Sequence, residues 1–295
     1  MQIGDVTVST PALVALGAAV GFVGGVFGVG GGFLLTPLLA VVFHVPLHIA
    51  VGTGLCQIVA TSLVSMLKFR RAGLGELRVD LGLLGGSVLG VEGGARALSA
   101  LGTRTVSIGG VVAPLAPLVL QTAYVLMLGF VWLSFARPSR SGVEPLDYLR
   151  FGPLSRARLP LSVRLPAVQL PRVSMLLIAY LGLGLGFLSG LLGIGGGVVL
   201  MPVLVHGFGF PLRQAAGTGL LVLCVTAAVG TARHAMVGNV SLPLAMALLA
   251  AAPVSAMLGS RATKRLPATA LRRGFSVVLL LTMAAVAWDL WRKVR

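Results

Sequence analysis

Residues 25–32 read GVFGVGGG, and 165 residues further on residues 190–197 read GLLGIGGG. Each cluster sits inside a long apolar stretch and leads into a second apolar run that carries a proline, FLLTPLLAVVF in one case and VVLMPVLV in the other. Glycine weakens a helix interior, and three in succession predict a break in it. What these two breaks are for decides the fold.

The clusters belong to a duplication. An offset of 165 places Gly186 over Gly21, Gly193 over Gly28, Gly195 to Gly197 over Gly30 to Gly32, Pro202 over Pro37, Pro211 over Pro46, and GTGL at 217–220 over GTGL at 52–55. The register runs without a gap through Gly238 over Gly73 and Arg261 over Arg96, then shifts because the first half carries extra residues near 103–116. A gapless match of this length marks an internal repeat. It predicts a first repeat over 1–135, a hydrophilic linker rich in Arg, Pro and Ser over 136–173, and a second repeat over 174–295.

The environment follows from composition. Of 295 residues 57% are hydrophobic and 10% are charged, with a mean hydropathy of +1.00, whereas a soluble domain carries about 25% charged residues. This pattern predicts an all-α polytopic membrane protein of the inner, plasma-membrane type. The net charge of +16 is spread in short basic runs between apolar segments, without interleaved aromatics. Those runs read as topology signals and not as a nucleic-acid surface. Eight apolar segments are expected, at 12–43, 49–67, 79–101, 106–135, 174–206, 215–232, 242–260 and 270–291. The opening MQIGDVTVSTP lacks a basic region, so the first segment is expected to stay in the mature chain. Cys56 and Cys224 lie in apolar runs at different positions of the repeat, which predicts small buried residues and no disulfide.

Segments 12–43 and 174–206 each exceed 30 residues, too many for one straight crossing at about 1.5 Å per residue. If each turns back at its glycines, every half has a re-entrant helical segment plus about three transmembrane helices, and the second half is inverted. If each crosses, the halves are parallel. The inverted scheme places two more basic residues on the cytoplasmic side, including those of RATKRLPATALRR, and is the one expected.

Irregular backbone at membrane depth must face protein or a water-filled cavity. The glycine breaks are therefore expected to line a wet cavity, with the amides and positive dipole ends of the following half-helices pointing into it. Two such ends make an anion site without a buried cation. The candidate residues are Gly28, Gly30, Gly31, Gly32 and Gly193, Gly195, Gly196, Gly197. The plain alternative is close helix packing, since Gly21, Gly25 and Gly28, Gly32 are spaced as GxxxG. That packing reading is the one expected for Gly82, Gly86, Gly90 and Gly94. Neither cluster is followed by Lys-Ser or Lys-Thr, and the Rossmann spacing would need glycine at Phe33 or Val198, so nucleotide motifs are excluded.

The stretches GFVGGVFGVGGGFLLTPLL and GFLSGLLGIGGGVVLMPVL, each followed by a proline and then AVGTGL or AAGTGL, resemble the paired signature of the sulfite exporter TauE/SafE family of membrane transport proteins. The resemblance covers nearly the whole chain. It implies a carrier of small anions, often sulfur-containing such as sulfite or sulfonates, that works without a bound cofactor. The residues near 103–116 and the long basic linker depart from a minimal two-repeat pattern.

Thr53 and Thr218, in the paired GTG motifs, are candidate oxyanion donors, with helix capping as the alternative. Gln57 and Thr61 follow Thr53 on one helix face; in the second half only Thr226 follows Thr218, with Val222 in place of Gln57. Glu92, deep in an apolar segment and related to Met257, is the candidate for proton coupling, with an i,i+4 pair to Arg96 as the bland reading. His44, His48 and His206 lack partners at metal-ligand spacing, so no metal is expected.

The sequence thus predicts a secondary transporter, of export type, moving a small anion such as a sulfur oxyanion or organosulfonate by alternating access. It is expected not to be an enzyme. The rival readings are a channel-like or cation-handling protein and an intramembrane enzyme or assembly factor. The expected partners are the anion, the lipid bilayer and coupled protons; nucleic acid is not among them, and a homo-oligomer is left open.

Overall fold

The computed structural model describes residues 2–3, 6–7, 9–102, 105–108, 111–136, 154, 162–165 and 170–294. The first half begins with α1 (Thr10–Phe27), capped by the Ser9 hydroxyl, which accepts the Ala12 N–H. It continues through α2 (Gly32–Val41), α3 (Leu47–Arg71), α4 (Leu77–Gly102) and α5 (Leu115–Ala136). The second half opens on the same cap: Ser174, 165 positions after Ser9, accepts the Leu177 N–H at the start of α6 (Met175–Leu192). Then come α7 (Gly197–Pro202), six residues of π-helix (Val203–Phe208), α8 (Leu212–Gly217), α9 (Leu220–Met236), α10 (Leu242–Leu249), α11 (Ala252–Arg265) and α12 (Ala268–Val294).

Among the described residues six helical segments are long and apolar enough to cross a membrane: Thr10–Phe27, Leu47–Arg71, Met175–Leu192, Leu212–Met236, Leu242–Thr263 and Thr269–Arg292. With 26 residues, α4 is long enough too, although it carries Arg78, Asp80, Glu92 and Arg96. Large apolar side chains such as Leu126, Phe130, Tyr180, Met246 and Leu281 are exposed on the outside, the surface of a protein whose solvent is lipid. The chain is an all-α, multi-pass integral membrane protein.

Lipid tails give no hydrophobic drive for helices to associate, so helix pairs in a bilayer rely on close backbone approach at small residues. Here the halves exchange partners. A Cβ added to Gly17, Gly21 or Gly25 of α1 would stand 2.2–2.4 Å from the carbonyl oxygens of Leu248, Ala252 and Ala256. At the related positions of α6, Gly182, Gly186 and Gly190 would meet the carbonyl oxygens of Leu83, Ser87 and Val91 at 2.0–2.2 Å. From the α4 side, Gly86, Gly90 and Gly94 approach Ala179, Leu183 and Phe187 as closely. The packing expected of the α4 glycines is therefore present, and the broken helix of each half lies on the third span of the other.

At the centre α3 lies against α9, and the two run in opposite directions. Gly52, near the start of α3, sits against Asn239, just past the end of α9, while Gly217, just before α9, sits against Leu74 and Gly75, just past the end of α3.

Three features differ from the sequence expectation. The second-half span expected over 215–232 is broken between α8 and α9, with Thr218 extended (φ −86°, ψ 139°) and Gly219 at φ 92°, whereas the same GTG at 52–54 lies inside an unbroken α3. Asp80 takes the Gly219 N–H and so draws it out of the helical ladder; the residue related to Asp80 is Ala245. The fourth segment was expected from 106, but Thr105–Ile108 pairs antiparallel with Val111–Pro114, and the helix starts only at Leu115. Val106, Ile108, Val111 and Val112 favour strand, and the 22 residues of α5 span about 33 Å unaided. The linker lies largely outside the described residues, apart from Leu154 and a pair of strands, Ser162–Leu165 and Leu170–Ser174. Cys56 and Cys224 are free thiols, half-buried where the sequence predicts burial.

Candidate functional site

Both glycine clusters fold into the same turn. Gly28 ends α1 in the left-handed region (φ 67°) and Gly193 ends α6 likewise (φ 68°), the usual glycine stop for a helix. Gly30 and Gly31 follow at φ 75° and 81°, Gly195 and Gly196 at 70° and 75°. Each turn doubles back on its helix, so that a Cβ on Gly31 would lie 2.8 Å from the Val20 carbonyl oxygen. The next helices start at Gly32 and Gly197, and neither N-terminus is capped by a side chain.

The two turns lie side by side at mid-height of the α3–α9 pair. A Cβ on Gly32 would come within 3.1 Å of the Gly193 carbonyl oxygen, and one on Gly197 within 2.8 Å of that of Val29. Two residues that the sequence reading missed hold the second turn from the first half. Thr36 donates to the Gly193 carbonyl at 3.2 Å, and the Tyr124 hydroxyl donates to that of Leu192 at 2.6 Å. Thr36 was hidden in FLLTPLL as one polar atom in an apolar run. Tyr124 comes from α5, where the repeat register no longer guides the eye.

The wet cavity expected here is closed. Gly30 and Gly195 are each covered by Ile58 and by Leu223, symmetry mates at the 165-residue offset. The space beside the second turn, bounded by Leu185, Gly195, Gly196, Leu200, Val222 and Thr226, is too tight for a water molecule. Two branched apolar side chains fill the place where the half-helix ends meet.

The remaining candidates fall into two groups. Thr61 donates from α3 toward the Gly30 carbonyl at 3.0 Å, with the Gln57 carbonyl at the same distance. Gln57, one turn earlier, donates to the Gly17 carbonyl at 3.4 Å, and its buried Oε1 has no partner among the described residues. Thr226 donates to its own helix at Val222 and borders the second turn. Thr61 and Thr226 are thus at the turns, and Gln57 sits one helical turn from Thr61 against mid-α1. Thr53 and Thr218 are not at the turns: the Thr53 hydroxyl accepts the Ser241 N–H at 3.2 Å and the Thr218 hydroxyl accepts the Glu76 N–H at 3.0 Å. Each ties the start of one central span to the turn that follows the other.

Two carboxylates complete the picture. Glu92 bridges Arg96 and Arg233, both at 2.8 Å, and is 31% exposed. Asp80 is fully buried, accepts the Gly219 N–H at 2.5 Å and forms an ion pair with Arg70. Asp80 is hard to single out by reading the chain, because it sits at the edge of an apolar run beside Arg78 and Glu76.

Comparison with known proteins adds the family. Residues 13–286 match the family model described as "Sulfite exporter TauE/SafE". The chain belongs to the TauE/SafE family. Two Bacillus subtilis (strain 168) proteins named as probable membrane transporters are similar to it. YunE is 25% identical over 277 residues, covering 91% of this chain and 94% of its own, and YdhB is 24% identical over 257 residues, covering 87% and 90%. A probable membrane transporter protein of Methanocaldococcus jannaschii is 24% identical over 283 residues, covering 91% and 92%. No solved structure matches. This TauE/SafE protein is therefore a membrane transporter.

Proposed function

We propose that the protein is a secondary transporter of the plasma membrane that exports a small anion, a sulfur-containing oxyanion or organosulfonate, by alternating access around the two glycine turns. The observation that carries this reading is the pair of turns lying side by side, each opening a helix whose first amides no side chain caps. Such amides carry partial positive charge, and two sets converging at mid-membrane would hold an anion without a buried Lys or Arg. Thr61, Gln57 and Thr226 would complete an asymmetric binding site. The opposite directions of α3 and α9 and the exchange of partners between halves support an inverted repeat, the architecture in which alternating access is rocking about a central site. The closed state described here is the occluded one, with Ile58 and Leu223 in the anion's place. Proton coupling through a carboxylate belongs to this reading.

The experiment is flux of sulfite, thiosulfate, sulfate and methanesulfonate in proteoliposomes, with and without a pH gradient. Saturable flux of one sulfur anion supports the proposal. Flux of cations, or chemical change of the solute in detergent, would replace it with the channel or enzyme reading.

A further inference from the structure

The duplication supplies a control inside the molecule. After α3, the turn 72–76 leans on the head of α9 through Thr218 and the Glu76 N–H; after α9, residue 241 leans on α3 through Thr53. The fold makes this joint twice, each time with a threonine. Among the described residues the Thr53 joint has a histidine, His234, packed against Gly52, whereas around Thr218 the joint adds a carboxylate and a guanidinium. There Asp80 holds the Gly219 N–H and pairs with Arg70, Arg70 donates to the Gly75 carbonyl at 3.3 Å, and Gln214 accepts the Gly75 N–H at 2.8 Å. The residues related to Asp80, Arg70 and Gln214 are Ala245, Ala235 and Ile49. The threonine contact forms at the second copy without an acid, so Asp80 adds something beyond it: it holds the Gly219 N–H where the chain leaves the helix, whereas the related Gly54 lies inside the unbroken α3. A fully buried carboxylate in a membrane helix is costly, and here it fastens a helix break that the central span of the first half lacks.

We propose that Asp80 is the proton-accepting residue of the transport cycle, a latch whose charge keeps the joint closed on the face carrying Lys68, Arg70 and Arg71; this rests on the transporter reading above. Charged, the carboxylate holds Gly219 at the head of α9 and the guanidinium of Arg70 on α3. When one of its oxygens takes a proton from water on that face, an O–H bond forms and the charge that holds Arg70 is gone. The guanidinium is free to meet an arriving anion and the joint is free to open; loss of the proton to water closes it. Proton and anion binding then favour one another, as two ligands linked through one equilibrium must. Among the described residues the charged groups that face Asp80 are Arg70 from α3 and Glu76, itself buried, from the turn. From the α8–α9 side it meets Gly219, with Gln214 and Thr218 alongside, none of which titrates.

Leu220, the first residue of α9, is fully buried behind the joint. A Leu220→Cys protein lacking Cys56 and Cys224, reconstituted in liposomes, is labelled with a membrane-impermeant maleimide across a range of pH. Its rate is divided by that of the same cysteine in Asp80→Asn, which cancels the titration of the thiol. The expected result is that Asp80→Asn labels faster than the Asp80 protein at neutral pH and that the ratio rises about tenfold toward unity on acidification, with Asp80→Glu keeping the dependence. Equally slow labelling in Asp80→Asn, or a ratio that does not move with pH, overturns the proposal. If Asp80→Asn does not insert, Arg70→Gln takes its place with the same expectation, and failure of both to fold assigns Asp80 to structure and overturns it too. Labelling needs no substrate. A pH-dependent ratio in a protein that carries neither sulfite nor methanesulfonate would therefore sink the substrate reading and leave the latch.

Discussion

Ile58 and Leu223 occupy equivalent places in the two halves, and both press on the same two glycines, Gly30 and Gly195. An anion that reaches the turn amides must displace them. Truncating both to alanine removes that obstacle, and a barrier lowered by about 1.4 kcal/mol speeds a step about tenfold. Ile58→Ala with Leu223→Ala is therefore expected to raise flux of the transported anion several-fold, while each truncation of a fully buried branched side chain costs about 2–5 kcal/mol of stability. Flux assayed beside thermal unfolding separates the two effects. Unchanged flux in a folded double variant would show that the path runs elsewhere.

The glycine seams make a sharper prediction about stability. A Cβ at Gly86 or Gly186 would stand 2.0 Å from the carbonyl oxygens of Ala179 and Ser87, whereas at Gly85 and Gly184 it would meet nothing within 4 Å. Gly86→Ala and Gly186→Ala must push their helices apart and should lower the unfolding temperature in detergent. Gly85→Ala and Gly184→Ala should raise stability by roughly 0.5–1 kcal/mol, because alanine is the better helix former. If all four behave alike, the seams do not set the helix spacing.

At the turns themselves, backbone conformation and space can be told apart. Gly31 and Gly196 have φ 81° and 75° and close neighbours in Val20 and Leu185, while Gly73 and Gly238 have φ 69° and 74° with open space around them. A side chain at any of the four incurs left-handed strain of about 1–2 kcal/mol. Only Gly31→Leu and Gly196→Leu should also abolish transport with membrane insertion intact. Wild-type flux in both would remove the turns from the solute path, and loss of flux in Gly73→Ala would make strain alone the cause.

Much of this architecture was legible in the sequence, because repeat and membrane both leave dense signals. The 165-residue offset foretold the paired turns; it also relates Ser9 to Ser174 and Ile58 to Leu223, pairs that only the structure brought out. Partner exchange was not legible, since Gly86 and Gly186 announce close approach but not to whom. The closed centre was missed because Ile58 and Leu223 look like any apolar residue in an apolar span. Asp80 was missed because its importance lies in a contact 139 positions away, and Thr53 and Thr218 announced polarity without saying that a backbone N–H from the other half would use it.

Glu92 offers the test that separates the two carboxylates. It joins Arg96 on its own helix and Arg233 on α9, with side-chain exposures of 31%, 74% and 41% respectively. Exposed ion pairs contribute little, about 0–1 kcal/mol in water. Glu92→Gln is therefore expected to insert normally, to lose less than about 1 kcal/mol of stability, and to keep the wild-type response of flux to a pH gradient. Asp80→Asn should lose that response while still exchanging anion for anion across the membrane. Parallel measurement of gradient-driven flux and of exchange in the two variants decides between them: if Glu92→Gln is the one that exchanges but no longer responds to the gradient, the coupling carboxylate is Glu92, and the charge at Asp80 only fastens the joint.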